Sequence, residues 1–402
     1  MVSIGPAGPI GPTESRSASS PARSGSRLFF VDNLRTLMIV MVILVHLSIT
    51  YGGAGSWCYK EVDRPDALTF SVLSIQNATF QSFFMGMLFL AAGYFVPGSY
   101  DRKGPRRFLG DRLLRLGIPL LCYDYVVNPL LNYVLIRAGV AGPPRSFAVL
   151  ARNYWTELHI GTGPLWFVEA LLIFVLLYAG WRMIRRPSPR PAENDSYVPG
   201  HASLAVLALG LGACSFLVRI WLPLGWSLDL LNLQLPFFPQ YIAMFILGVL
   251  AYRHNWLLRL PRDLARPWFV LAAVLIVVVF PLLALLSGVL EGDVSKLAGG
   301  LHWQALAYAL WEQTLGVGMT AGLLILFRER FNHQGTLARA ASASSYTVYI
   351  LHAPIIVLFT LAVRGIHLYP LLKYAMVALV IIPACFLLAS LVRKLPAAQR
   401  IL

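Results

Sequence analysis

The stretch VDNLRTLMIVMVILVH, residues 31–46, decides how the rest of the chain is understood. Its second half is almost wholly apolar, as in a helix that crosses a lipid bilayer. Yet Asp32 and Arg35 stand near its start, and His46 stands at its end. An ionisable group at membrane depth costs roughly 2.5–3.5 kcal/mol. Each of these three residues therefore needs a structural partner or a function.

The composition of the whole chain agrees with a membrane protein. Hydrophobic residues make up 57% of the 402 residues, and charged residues only 13%. So few charges cannot cover a soluble surface of this size, whereas a polytopic membrane protein needs few. The net charge of +15 lies mostly in short loops between apolar runs. Basic residues in short loops set the orientation of membrane spans and contact lipid headgroups, and we therefore predict no nucleic-acid partner.

Apolar runs of transmembrane length recur along the chain, without visible internal repeats. A window of about 19 residues predicts an all-α, polytopic transmembrane helix bundle of about ten spans. The expected spans are 33–51, 74–97, 113–136, 164–183, 202–222, 235–252, 267–289, 304–327, 341–363 and 372–393.

Lysine and arginine residues alternate between rich and sparse connections, which predicts the orientation. One side collects Arg16, Arg23, Arg27, Arg102, Lys103, Arg106, Arg107, Arg185, Arg186, Arg190, Arg253, Arg259, Arg262, Arg266, Arg328, Arg330, Arg339, Arg393, Lys394 and Arg400. The other side has only Lys60, Arg64, Arg145, Arg152, Lys296 and Arg364. We therefore expect both termini in the cytoplasm, in a multi-pass protein of the cell (inner or plasma) membrane.

The two ends of the chain differ from its apolar centre. Residues 1–27 are rich in Gly, Pro, Ser and Arg and contain no apolar core of signal-peptide type. We expect them to form a disordered cytoplasmic tail, followed by one transmembrane domain at 28–395 and a cytoplasmic C-terminal tail at 396–402. The cysteines form no metal-ligand spacing, and we predict no metal. Cys122, Cys214 and Cys385 lie in apolar runs, where we expect them to be buried.

Arg35 and His46 share one face of the first span. They are eleven residues apart, which is three turns plus about 20° and roughly 16 Å along a helix. A fixed cation near the cytoplasmic boundary is thus aligned with a titratable imidazole at mid-membrane or beyond. The alternative is structural: an arginine that reaches the interface, and a histidine bonded to a carbonyl of a neighbouring helix.

A second basic pair opens the third span, in RRFLGDRLLRLGIP. Arg112 and Arg115 are three residues apart and therefore neighbours on one helical face. Beside Arg35 they would form a site for phosphate groups. Taken alone, the pair is also what the positive-inside rule produces.

Two later spans carry further candidates. Glu169, in GTGPLWFVEALLIF, stands near the outer end of the fourth span. There it would form an ion pair with a basic group or a hydrogen bond with an incoming hydroxyl. The structural alternative is an acid at the start of a helix, which the helix dipole favours. His352, in SYTVYILHAP, lies in the middle of the ninth span, two residues before Pro354. A backbone carbonyl freed by this proline would give His352 a structural role instead. His159, before the fourth span, is a weaker candidate.

These four segments together resemble the acyltransferase 3 family of membrane O-acyltransferases. VDNLRTLMIVMVILVH is similar to its first-helix signature, an arginine followed by ten residues and a histidine, and FLGDRLLRLGIP resembles its R-x-x-R motif. GPLWFVEALL and SYTVYILHAPI resemble two later segments. The resemblance covers about residues 28–393, and LVHLSITYG with LWFVEALL looks closest to the branch that includes the glucan biosynthesis protein C type.

The resemblance implies transfer of an acetyl, succinyl or other acyl group from cytoplasmic acyl-CoA to a hydroxyl of a carbohydrate or other envelope acceptor. Arg35, His46, Arg112 and Arg115 match the family's functional positions, and Glu169 and His352 match less closely. Some members carry an additional C-terminal extracytoplasmic domain. This sequence ends at Leu402, and we expect its acceptor to be reached from the membrane core.

From these residues we predict a mechanism. The CoA phosphates bind Arg35, Arg112 and Arg115, and the acyl arm extends towards His46, a general base. Asp32 holds Arg35 in place, and Glu169 orients the acceptor. No cofactor is bound permanently; acyl-CoA is a substrate. A covalent acyl-histidine intermediate is an open alternative. A transporter or flippase of a lipid-linked sugar or small metabolite is the alternative function, favoured by the prolines within spans.

Overall fold

The computed structural model describes residues 27–156, 163–185, 197–228, 231–289, 294–399 and 401. Within these ranges the chain is mainly helical, and its only β-type pairing is an isolated bridge between Leu228 and Leu233. The prediction of an all-α bundle is confirmed. The predicted tail up to residue 26, and the candidate His159, lie outside the described residues.

Helices fill most of the described chain. They are α1 (Phe29–Thr50), α2 (Ala67–Gln81), α3 (Phe84–Arg112), α4 (Ile118–Cys122), α5 (Asn128–Arg137), α6 (Phe147–Thr156), α7 (Trp166–Ile184), α8 (His201–Trp221), α9 (Phe238–His254), α10 (Trp256–Arg259), α11 (Ala265–Val274), α12 (Phe280–Leu286), α13 (Ser295–Ala298), α14 (Trp303–Arg330), α15 (Thr336–Ala362), α16 (Pro370–Val392) and α17 (Pro396–Gln399). Wider π-helical turns at Leu113–Gly117, Tyr123–Val127 and Leu275–Val279 join α3 to α4, α4 to α5 and α11 to α12.

Nine helical segments of the described chain are long and apolar enough to cross a membrane. Eight of them match predicted spans one to one. The remaining segment, Ala67–Arg137, has 71 residues and contains both predicted spans 74–97 and 113–136. A straight helix of that length would measure about 107 Å, over three times the hydrocarbon thickness of a bilayer. The chain turns inside it at Gly104, whose φ of 72° is left-handed, and we count two crossings there.

The first of these two crossings is itself interrupted. Between α2 and α3, Ser82 and Phe83 leave the helix, and the carbonyl of Ser82 accepts a hydrogen bond from Gln240 Nε2 at 2.6 Å. Gly316 of α14 lies directly against this break, because a Cβ on Gly316 would stand 2.2 Å from the Ser82 oxygen. The break therefore carries a polar carbonyl into the middle of the bundle.

Helix α1 lies at the centre of the bundle, against α15, α14 and α3. Its buried face includes Leu34, Met38 and Ile43. The segment Arg262–Leu286 is the least buried of the nine, because only 11% of its apolar stretch is buried inside the protein. Such a helix faces lipid along most of its length, since a helix that is apolar all round needs an apolar surrounding.

The structure corrects one expectation about the cysteines. Cys385 is buried as expected, but Cys122 and Cys214 are exposed on the outside of the bundle. Apolar sequence around a thiol did not distinguish the protein core from the lipid-facing surface, because both are apolar in a membrane protein.

Candidate active site

Three aromatic rings from different parts of the chain stack in the centre of the bundle. The ring of His46 lies 3.9 Å from that of Trp57 and 5.1 Å from that of His352, between centroids, with interplanar angles of 21° and 22°. His352 has no exposed surface, whereas His46 keeps some. The structure therefore brings the two histidines predicted from sequence into one site.

Two packed helices and one loop hold this stack together. Helices α1 and α15 are neighbours, and Thr36 and Ser345 share a hydrogen bond of 3.1 Å. This bond lies about three turns before His46 and about two turns before His352. Trp57 comes from the loop 51–66 between α1 and α2. Glu61 of the same loop forms an ion pair with Lys373 of α16, which fastens the loop across the end of the bundle.

Several polar atoms of the stack have no hydrogen-bond partner. His352 Nδ1 is bonded to the carbonyl of Tyr349, so this nitrogen carries the proton and Nε2 is the proton acceptor. Within the described residues, His352 Nε2, His46 Nδ1 and Trp57 Nε1 are buried without a hydrogen-bond partner. Buried polar groups are normally satisfied, so several unsatisfied ones together indicate a place for a polar ligand or water.

The predicted arginines lie at the start of α1 and around the join of α3 to α4. Arg35 is 3.7 Å from Asp32, which also accepts a bond of 2.7 Å from Arg27 Nε. Asp32 therefore contacts Arg35, as the sequence predicted. Arg112 lies over the ring of Phe108 at 5.2 Å and within electrostatic range of Arg35.

A row of side chains on α15 links these arginines to the histidine stack. Tyr346, Tyr349 and His352 are three residues apart and therefore share one helical face. The hydroxyl of Tyr346 donates to the carbonyl of Arg115, and that of Tyr349 donates to the carbonyl of Pro164 at 2.6 Å. From Tyr346 to His352 the row covers about 9 Å. Within this row, Tyr349 and His352 are buried, with 3% and 0% of their surface exposed.

Glu169 lies in the first turn of α7 and is buried. It stands within electrostatic range of Asp124, a second buried carboxyl group, which is 3.3 Å from Asn128 Nδ2. The adjacent Tyr123 has a buried hydroxyl without a partner in the described chain and lies within electrostatic range of Tyr349.

A buried ion pair elsewhere in the bundle was not singled out from the sequence. Arg219 Nη2 of α8 is 2.6 Å from Glu312 Oε2 of α14, and both side chains are 1% exposed. Arg219 Nε also donates to the carbonyl of Pro236, and Gln313 donates to the same Glu312 oxygen. Arg219 and Glu312 both lie inside predicted spans, and a charged residue within an apolar span is a signal that the sequence offered.

Trp57 and Asp124 are also residues of the site that the sequence analysis did not single out. Asp124 is an acid inside the predicted span 113–136, and its charge was a usable signal. Trp57 belongs to a loop without periodicity, and nothing in its neighbours indicates a ring stacked on His46. Among the described residues no group of three or more His, Cys, Asp or Glu side chains has the arrangement of a metal site.

Comparison with known proteins matches the chain to one family over most of its length. The model of the acyltransferase 3 family, described as an acyltransferase domain, covers residues 28–390. Glucans biosynthesis protein C of Salmonella paratyphi B is 24% identical over 343 residues, which is 83% of each chain. The protein of the same name from Salmonella paratyphi A is 24% identical over 345 residues, with the same coverage. No solved structure gives a significant match.

Proposed function

Since this chain belongs to the acyltransferase 3 family and is a multi-pass membrane acyltransferase, we propose that it moves an acyl group from cytoplasmic acyl-CoA to a hydroxyl of a carbohydrate. The observation that carries the proposal is the mutual stacking of His46, Trp57 and His352. It supplies a histidine, next to unpaired polar atoms, at the depth where a reaction can be shielded from water.

The donor binds at the cytoplasmic ends of the helices. Arg35, Arg112 and Arg115 supply cations for the CoA phosphates, and Asp32 orients Arg35. The acyl-pantetheine arm runs along the face of α15 that carries Tyr346 and Tyr349. Because Tyr349 is buried, donor binding along this path requires the helices to separate by the width of an alkyl chain.

The transfer needs one proton acceptor. His46 removes the proton from the acceptor hydroxyl as its oxygen attacks the thioester carbon. A carbon–oxygen bond forms and the carbon–sulfur bond breaks, which leaves an ester and CoA thiolate. The proton on His46 then passes to the thiolate, so that free CoA thiol departs and the imidazole is neutral again.

The neighbours of His46 position the reactants. His352 holds His46 by stacking, and its Nε2 accepts a hydrogen bond from the acceptor or from a bridging water. Glu169, with Asp124, orients the acceptor through its other hydroxyls. Both carboxyl groups are buried.

A carbohydrate acceptor is supported by two observations. The curated relatives are named as glucans biosynthesis proteins, and Trp57 gives the site an aromatic ring at the end that we assign to the outer face. An aromatic face is a suitable surface for the apolar face of a sugar ring. We place the protein in the inner membrane, with acyl-CoA on its cytoplasmic side.

Release of free CoA thiol from acetyl-CoA or succinyl-CoA by the purified protein tests this proposal. Thiol release should rise when a glucan oligosaccharide is added, and the oligosaccharide should gain the mass of the acyl group. Thiol release at the background rate with every donor and acceptor, together with uptake of the sugar into vesicles, would instead establish a transporter.

The donor site has its own test. Replacement of a charged hydrogen-bond partner typically costs about 1.5–3 kcal/mol, so Arg112→Gln should raise the KM for acyl-CoA about tenfold or more. Arg106→Gln, at an exposed arginine of the same helix, is the matched control and should leave it unchanged. Equal KM values for both variants and the unaltered protein would remove Arg112 from the donor site.

A further inference from the structure

A groove outside the candidate active site opens between α11 and the end of α14. Its volume is about 600 Å³, within the usual range of ligand sites. One wall belongs to the segment Arg262–Leu286, the least buried of the nine described segments, and Val270 in this wall is 58% exposed. The other wall belongs to α14. The groove therefore opens sideways to lipid.

One end of the groove is strongly basic. Arg262, Arg266 and Arg330 line it together with a single acid, Glu329. The acid is already engaged: it pairs with Arg262 at 2.6 Å and with Arg328 at 2.8 Å. Arg266 and Arg330 are exposed and form no ion pair with any residue that the structure describes. Three arginines and one glutamate give the lining a net charge of +2.

The other end of the groove is apolar and lies deeper. Phe269, Val270, Ala273 and Ile325 line it. Ala273 follows Arg266 by seven residues, which is about 10 Å along the helix. Phe269 is fixed, since its ring fills the space that a Cβ on Gly322 would need, at 2.8 Å. A rigid apolar trough thus continues from the arginines towards the hydrocarbon region.

We propose that this groove binds one anionic glycerophospholipid of the cytoplasmic leaflet. The phosphate and its anionic headgroup contact Arg266 and Arg330, and one acyl chain lies in the trough beside Phe269 and Ala273. The basic ends of α11 and α14 are on the arginine-rich side of the protein, which is the side of the anionic leaflet. A net charge of +2 complements such a headgroup, whereas a zwitterionic lipid gains little from it.

Native mass spectrometry of the full-length protein in detergent measures this binding. Phosphatidylglycerol and phosphatidylcholine with identical acyl chains are titrated in parallel. The unaltered protein should bind phosphatidylglycerol at least tenfold more tightly. Arg266→Gln and Arg330→Gln should each weaken that binding about fivefold and leave phosphatidylcholine unaffected. Arg102→Gln with Arg107→Gln, two exposed arginines outside the groove, is the matched control and should change neither.

Three results would overturn the proposal. The first is equal affinity for the two lipids, and the second is an equal loss in the control variant. The third is displacement of bound phosphatidylglycerol by glycerol phosphate or by acetyl-CoA, which would make the groove a site for soluble phosphates. None of these results bears on the histidine stack. The proposed lipid site can therefore be disproved without disproving the proposed acyl transfer, and the reverse also holds.

Discussion

At the scale of single residues, ionisable side chains inside the bundle divide into paired and unpaired ones. Arg219 and Glu312 form a short, fully buried ion pair with additional hydrogen bonds from Gln313 and to Pro236. His46 and His352 form no ion pair within the described residues, and each leaves one ring nitrogen without a partner there. Arg219 Nη1 and Glu312 Oε1 also lack a partner, so the histidines differ from this structural pair in having no counter-ion and in stacking on each other and on Trp57.

Glu312→Gln should therefore lower stability more than catalysis. It leaves the Arg219 charge buried without its counter-ion, a change that costs about 3–5 kcal/mol. We expect a large drop in the thermal midpoint of the detergent-solubilised protein. Asp101→Asn removes the partner of Arg182 at the surface, where Asp101 is 51% exposed, and serves as the control with a much smaller drop. Equal midpoints for both variants would show that the buried pair contributes nothing special.

The sequence identified those site residues whose ionisable side chains lie inside an apolar span. Arg35 and His46 were noticed because they interrupt an apolar run, and helix geometry placed them on one face. Asp124 and Glu312 carried the same signal. Trp57 did not, since an aromatic residue in a loop is ordinary and its contact with His46 depends on how the loop 51–66 folds back. The roles of Glu169 and of the arginines stay predictions.

At the scale of helices, α3 and α9 pack backbone against backbone. A Cβ on Gly93 would stand 2.2 Å from the carbonyl oxygen of Phe245, and one on Gly248 would stand 2.2 Å from that of Leu90. Close approach through small residues is the usual way in which transmembrane helices gain contact, because lipid gives them no hydrophobic drive to associate.

Gly248→Ala should push these two helices apart. Overpacking of this kind costs about 1–3 kcal/mol, which a thermal melt followed by size-exclusion chromatography in detergent would detect. Gly210→Ala places the same methyl group in open space on α8. Because alanine favours helix over glycine by about 1 kcal/mol, this control should be neutral or stabilising. A normal melt for Gly248→Ala would contradict the close contact.

Hydropathy predicted the spans well and their interruptions poorly. Each predicted span lies on a helix, because length and apolarity are averaged over about 19 residues. The break at Ser82 and the turn at Gly104 escape such averaging. The break depends on a hydrogen bond from Gln240 of α9, a partner far away in sequence.

At the scale of the whole molecule, the proposed reaction requires a fixed orientation. The arginines of the donor site and the loop 51–66 lie towards opposite ends of α1. If both termini are cytoplasmic, as the distribution of arginine predicts, acyl-CoA and the carbohydrate approach from opposite sides of the membrane and meet at the histidine stack.

Accessibility of single cysteines tests the orientation. With Cys122→Ala and Cys214→Ala, the exposed Cys58 in the loop 51–66 is the thiol open to reagents, since Cys385 is buried. A membrane-impermeant maleimide should label Cys58 in intact spheroplasts. Adding Cys58→Ser and Gln399→Cys should restrict labelling to lysed cells. The reverse pattern would invert the assignment of donor and acceptor sides.

The most direct test of the account is the rate of acyl transfer by His46→Phe. Phenylalanine keeps an aromatic ring beside Trp57 and His352 but removes both nitrogens, so that the ring packing survives without a proton acceptor at position 46. Loss of a general base lowers rates by about 10²–10⁴. We expect the purified variant to show the melting behaviour of the unaltered protein and a transfer rate at least 100-fold lower. A variant that transfers acyl groups at the normal rate would show that the reaction takes place elsewhere.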